Sequence, residues 1–235
     1  MQEQPRAPLR IFSTLAVMGL LREVLPGLEA GLGGPIAPEF APTAALLRRI
    51  EAGETADLAI LTAEAVEALM AEGTLRPGSR RDICISVIGM AVRAGAPRPD
   101  IATPEACRAT LLGARSIAYS RAGASGIFFA GLIERLGIAE AVNAKSTIIP
   151  QGFTAELAAR GEAEIAIQQV SELMAVPGVD IVGALPEAMN TRAVFSAGLF
   201  AGAAEATPAL LARLAEAATP ERLAAQGLRP AATPA

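Results

Sequence analysis

DICISVIGMAVR, Asp82–Arg93, is the longest stretch of this chain that reads as a β-strand, and the fold turns on it. Its β-branched and apolar residues suit a pleated, buried ribbon. A strand this long can run from one lobe of a protein into another. A second crossing strand is expected near Arg192–Phe200. Two crossings with the middle of the chain between them imply a discontinuous first lobe, 1–88 plus 195–235, and a continuous second lobe, 89–194. A hinge and a central cleft between the lobes follow from that topology.

Outward from the crossing, short β-branched runs alternate with longer Ala/Leu/Glu segments, the pattern of βα units around mostly parallel sheets. On the N-terminal side the expected elements are strand 9–13, helix 16–30, strand 35–40, helix 44–52 and strand 57–61 (DLAIL), then a helix capped by Thr62 and running through Met70. On the C-terminal side, Thr103-Pro104-Glu105 is a strong helix start. Strand 115–119, helix 125–136, strand 145–149, helix 154–160 and strand 164–168 follow. After the second crossing, 207–227 is expected to be helical and the tail RPAATPA (229–235) disordered.

Composition narrows the function. Hydrophobic residues make up 52% and aromatics 3%, so the core is built from Ala, Leu, Ile and Val. Twenty basic residues against 24 acidic give no field to neutralise a phosphate backbone, and nucleic acid is excluded as a partner. The chain has no histidine, which removes His-based triads and most zinc sites; no metal is expected. Cys84 and Cys107 read as buried thiols, with a disulfide left open. The apolar stretch Leu9–Leu21 is broken by Arg10 and lacks a cleavage site, so it reads as strand and helix rather than a signal peptide. No apolar run is long enough to insert in a membrane. The sequence as it stands reads as cytoplasmic, and as periplasmic if a signal peptide has been removed.

Four strand-to-helix turns carry small polar residues: Ser13-Thr14, Thr43-Ala44, Ser120–Gly126 (SRAGASG) and Gln168-Gln169-Val170-Ser171. Helix N-termini present unpaired N–H groups and the positive end of the helix dipole, and ligands of open parallel sheets bind at the carboxyl ends of strands. SRAGASG is the strongest of the four. Gly123 and Gly126 would let the backbone approach a ligand, and Ser125 can donate from side chain and backbone. The segment is neither a P-loop nor a dinucleotide fingerprint, so no nucleotide or other cofactor is expected.

The succession IFSTLAV, RRIEAGETADLAIL, SVIGMAVRAGAPRPDIATPE, SIAYSRAGASGIFFAGLIERLGI, RGEAEIAIQQVSEL and PGVDIVGALP resembles the molybdate-binding-protein-like branch of the extracellular solute-binding proteins. Within it, the resemblance is closest to the branch that includes aconitate isomerase. It implies an α/β type 2 periplasmic-binding-protein fold with two Rossmann-like lobes. It also implies a small anion held by Ser13, Thr43, Ser125 and Gln169, with Thr14, Ala44 and Gly126 as backbone donors. An ABC-transporter permease is the implied partner of an exported form. Molybdate binders typically carry a Ser pair at the second turn and a Tyr near the last, where this chain has Thr43-Ala44 and Gln168-Gln169.

Arg121 points to a carboxylate, because guanidinium grips planar carboxylates in a bidentate fork. Ser120, Arg121 and Gln168 therefore join the candidate ligand residues. Allylic isomerisation needs a group that moves a proton to and from carbon; with no histidine, Tyr119 beside one turn and Glu172 after another are the leading candidates. The expected function is binding of a polycarboxylate or molybdate-like oxyanion. The alternative is an aconitate-isomerase-like enzyme. A purely structural module is disfavoured, since four polar turns at strand ends would serve no packing purpose.

Overall fold

The computed structural model describes residues 7–231. The described chain divides into two compact units, one ending at Ile85 and resuming at Val194, the other Ser86–Ala193. In chain order the first unit builds β1 (Leu9–Ser13), α1 (Met18–Leu32), β2 (Ile36–Phe40), α2 (Thr43–Glu51), β3 (Leu58–Thr62) and α3 (Ala63–Ala71). β4 (Arg81–Arg93) then leads into the second unit. That unit contains α4 (Pro104–Gly113), β5 (Ile117–Ser120), α5 (Ala124–Arg135), α6 (Ala139–Asn143), β6 (Ser146–Ile149), α7 (Thr154–Arg160), β7 (Ile165–Gln169), α8 (Val170–Met174) and β8 (Val179–Ala184). β9 (Arg192–Leu199) returns the chain to the first unit, which closes with α9 (Thr207–Ala217), α10 (Pro220–Ala225) and β10 (Arg229–Pro230).

In the first unit β2, β1 and β3 run parallel, and β9 pairs antiparallel with β3. β3 is buried along Leu58–Leu61, as a central parallel strand covered on both faces must be. Its core gathers Phe12, Leu46, Leu61, Val66, Leu75 and Phe200, with the Phe12 and Phe200 rings edge to face at 6.0 Å. Thr62 caps α3 by accepting from Ala65 N at 3.4 Å.

In the second unit β7 and β6 flank β5 in parallel, while β7 and β8 pair antiparallel with β4. Thr103 caps α4 through Ala106 N at 3.1 Å, with Pro104 opening the helix. Tyr119 and Phe129 meet edge to face at 5.1 Å inside a core that includes Met90, Cys107, Ile117 and Ile133.

Four expectations need correcting. A 3-10 turn at Leu15–Val17 precedes α1, which therefore starts later than expected. The helix expected over 207–227 is two helices, because Pro220 has no N–H to continue the ladder and Thr219 caps afresh through Arg222 N at 3.4 Å. β8 and α6 were not anticipated: Asp180 and Gly183 interrupt the apolar pattern of β8, which is only half-buried, and α6 has five residues. Arg229 and Pro230 pair with β4 rather than belonging to a disordered tail, and residues 232–235 lie outside the described residues.

Candidate functional site

In the second unit, the register Ile117↔Ile165 and Ala118↔Ala166 sets Ser120 level with Gln168, so the turns after β5 and β7 leave neighbouring parallel strands at the same end. That end is where parallel α/β sheets present their ligands.

The turn after β5 is held from within. Ser120 Oγ accepts from Ala122 N at 3.1 Å, and Gly126 N donates to Gly123 O at 3.2 Å. A Cβ on Gly126 would lie 1.2 Å from Ser120 O, so α5 starts in direct backbone contact with the end of β5. This corrects two expectations about Gly126. Its missing side chain admits the Ser120 carbonyl rather than a ligand, and its N–H is committed. Ile127 N also reaches Gly123 O, which leaves Ala124 and Ser125 as the donors at the helix start. Ser125 is 3% exposed, and among the described residues its hydroxyl has no hydrogen-bond partner.

Arg121 lies over the Tyr119 ring, and its Nη2 donates to the Tyr119 hydroxyl at 3.2 Å. That hydroxyl in turn donates to Asn143 Oδ1 at 2.6 Å. Tyr119 is fully buried, and its hydroxyl is engaged on both sides, by Arg121 and by Asn143. Arg121 is exposed and, among the described residues, has no carboxylate partner.

The turn after β7 separates two adjacent glutamines. Gln168 Oε1 accepts from Thr154 N at 2.8 Å and from Thr154 Oγ1 at 3.0 Å, and its Nε2 donates to Gly152 O at 3.0 Å. Gln168 thus fastens the start of α7 to β7. The same contacts show a polar turn serving a packing purpose, contrary to the expectation that none would. Gln169 is 2% exposed, yet among the described residues neither atom of its amide has a partner. Three residues on, Glu172 is buried in α8. Desolvation pushes its carboxyl up to about 8, against hydrogen bonding from the Gln168 side chain and the Gln169 backbone. Ser171 Oγ lies 3.5 Å from Ser86 Oγ.

In the first unit, Ser13 is fully buried and its hydroxyl donates to Thr14 O at 3.1 Å. Thr14 N donates to Ile60 O at 2.9 Å, so it is not the free backbone donor expected. Pro42 takes the N-cap of α2, and Ala45 N and Leu46 N both reach its carbonyl. Thr43 and Ala44 then head the helix with N–H groups that have no intrahelical acceptor. Cys84 and Cys107 are free and buried, their thiols pushed up to about 12 and about 11 by desolvation. Among the described residues no group of three Cys, Asp or Glu could hold a metal, and no helix is long and apolar enough to cross a membrane.

The family model for bacterial extracellular solute-binding proteins matches residues 9–229. The chain belongs to that family. A curated relative of this solute-binding protein, an aconitate isomerase from a Pseudomonas species, is 36% identical over 97% of this chain and 89% of its own length. Among solved structures, the periplasmic molybdate-binding protein of Azotobacter vinelandii superposes with a TM-score of 0.74 at 18% identity, covering 94% of this chain and 98% of that one. The sulfate-binding protein of Mycobacterium tuberculosis gives 0.73 at 18% identity, covering 97% and 88%. The fold is the α/β type 2 periplasmic-binding fold that the sequence resembles.

Three residues that anchor candidate side chains were missed by the sequence reading: Asn143, which holds Tyr119, and Thr154 and Gly152, which hold Gln168. Asn143 ends the unanticipated α6. Thr154 had been visible only as the start of an expected helix.

Proposed function

We propose that this solute-binding protein binds a small polycarboxylate at the turns that follow β5 and β7. The observation that carries the reading is the start of α5. Ala124 N–H, Ser125 N–H and the Ser125 hydroxyl, without partners among the described residues, belong to the same strand-to-helix turn as an arginine held by Tyr119 with most of its guanidinium donors uncommitted. A helix start supplies the field for an anion, and the guanidinium supplies the fork that suits carboxylate over a tetrahedral oxyanion. The 36% identity to an aconitate isomerase, over nearly the full length, supports a polycarboxylate rather than molybdate. An exported form of such a binding protein would hand its anion to an ABC-transporter permease. The resemblance also assigns Ser13 and Thr43 to the anion, which Ser13→Ala and Thr43→Val test directly.

A second reading, an aconitate-isomerase-like enzyme, is favoured by Glu172. A carboxyl pushed up to about 8 is mostly neutral at pH 7 and still keeps roughly a tenth of its population as the base, the range in which one group both takes and returns a proton. In this reading the Glu172 carboxylate takes a proton from the substrate methylene. The electron pair spreads over the allyl system as a dienolate stabilised by Arg121 and the α5 N–H groups. The same proton returns at the former vinylic carbon, so the double bond moves with no net change in composition.

The test is a thermal-shift screen of citrate, cis-aconitate, trans-aconitate, molybdate, tungstate and sulfate, with an ultraviolet assay for aconitate conversion. Stabilisation by the tricarboxylates is expected, and turnover would establish the isomerase. Stabilisation by the oxyanions alone refutes the polycarboxylate reading.

A further inference from the structure

We infer that Gln169 selects a ligand that presents an O–H donor beside an anionic oxygen, and so discriminates against anions that can only accept hydrogen bonds. The inference rests on the polycarboxylate reading above and sharpens the ligand class. Gln169 is 2% exposed, and both its Oε1 and its Nε2 lack a partner among the described residues. Buried amides are almost always paired, and each orphaned group costs free energy until something completes it. Because both atoms are orphaned, the conclusion does not depend on which way round the amide is placed.

The neighbours cannot complete it. Gln168 is consumed by Thr154 and Gly152, and Glu172 meets the Gln169 backbone and the Gln168 side chain. Nε2 is a donor and can serve a carboxylate or any oxyanion. Oε1 is only an acceptor, and facing a fully ionised anion it meets lone pair against lone pair. Molybdate and sulfate satisfy half of the amide. A ligand with an O–H satisfies both halves.

Two sources of that O–H share this chemistry: an alcohol hydroxyl on the polycarboxylate, or one carboxyl that keeps its proton in a site where full ionisation is disfavoured. A site built to hydrogen-bond a hydroxyl rejects the analogue lacking it far more strongly than a site missing an apolar contact does.

The experiment is calorimetric titration of wild type, Gln169→Met and Gln169→Glu, each first checked for a cooperative melt. Citrate and tricarballylate differ only by the central hydroxyl, and at pH 8 both are ionised. An alcohol source gives citrate about tenfold or more tighter binding at pH 8, the scale of one buried hydrogen bond. A carboxyl source gives tricarballylate a similar gain at pH 5 over pH 8. Either preference is expected to fall to within about threefold in Gln169→Met, which keeps the shape but not the amide, and to survive in Gln169→Glu, which keeps the acceptor. Absence of both preferences in wild type, or a preference that persists in Gln169→Met, overturns the inference. If no tricarboxylate binds, the polycarboxylate reading falls separately. Hydrogen phosphate against sulfate, of which only the former has an O–H at neutral pH, then decides the Gln169 inference alone: sulfate bound as tightly as phosphate overturns it.

Discussion

Gly126→Ala should break the second unit at the turn where the anion is proposed to bind. The added Cβ would fall 1.2 Å from Ser120 O and 2.3 Å from the carbonyl carbon, whereas ordinary contact starts near 3.4 Å. About 2 Å of displacement is required, from 3.4 less 1.2, and the obstructing atoms are backbone, so no rotamer change relieves them. Overpacking a core with side chains costs about 1–3 kcal/mol, and a backbone clash of this depth belongs at or above the upper end, about 3 kcal/mol or more. For a chain of 235 residues that is a fall of roughly 6–12 °C in Tm.

The displacement would also carry Ala124 and Ser125 away from the end of β5, so ligand affinity should fall with stability. Gly123→Ala is the control. Nothing lies within 4 Å of its added Cβ, and φ −103°, ψ 163° is open to any residue, leaving only the loss of a favourable N-cap residue, under about 1 kcal/mol. Thermal and denaturant unfolding with and without citrate would measure both. A Gly126→Ala protein within 0.5 kcal/mol of wild type, with its ligand affinity intact, would refute the close-approach argument.

Gln168→Leu should destabilise by about 2–4 kcal/mol in denaturant unfolding, because it strands Thr154 N–H and Gly152 O inside the unit. Glu172 has a folded value raised from 4.5 to about 8, so the native state holds a proton the unfolded chain has lost between those limits. Its contribution is full below pH 4.5 and is lost as pH rises through about 8, with a slope on the order of 1.4 kcal/mol per pH unit between. Glu172→Gln should flatten that part of the stability–pH curve, measured by denaturant midpoints from pH 5 to 9; an unchanged slope would show that Glu172 is not the group responsible. Arg121→Ala should weaken a tricarboxylate by about 1.5–3 kcal/mol in calorimetry while scarcely changing molybdate, and equal losses would sink the carboxylate fork.

Much of the fold was legible because its signals are local and redundant. Thr62, Thr103-Pro104 and the apolar run Leu58–Leu61 each announce an element through one turn of chain. β8 was hidden because it borrows its stability from pairing with β4, and a half-buried strand with Asp180 and Gly183 lacks both alternation and a continuous apolar run. The turns themselves were found by position. Which of their donors are free was not, since that depends on partners far along the chain: Ile60 for Thr14 and Asn143 for Tyr119.

The glutamine pair shows why such a site resists reading from sequence. Residues 168 and 169 are the same amino acid, both almost wholly buried, at the last two positions of one strand. Successive side chains of a strand point to opposite faces, so identical chemistry is delivered into different surroundings. One amide meets the start of α7 in three hydrogen bonds; the other meets no protein partner among the described residues. On the inference drawn above, the first acts on stability and the second on ligand choice, and the two substitutions separate these effects. Gln168→Leu should move the unfolding midpoint and alter ligand preference only through loss of folded protein. Gln169→Met replaces an orphaned amide with an apolar chain of similar length, so it should leave the unligated protein at least as stable as wild type while erasing the preference for an O–H. Were Gln169→Met instead to lose as much stability as Gln168→Leu, the Gln169 amide would have to be satisfied in the unligated protein, and the division of labour between the two would be wrong.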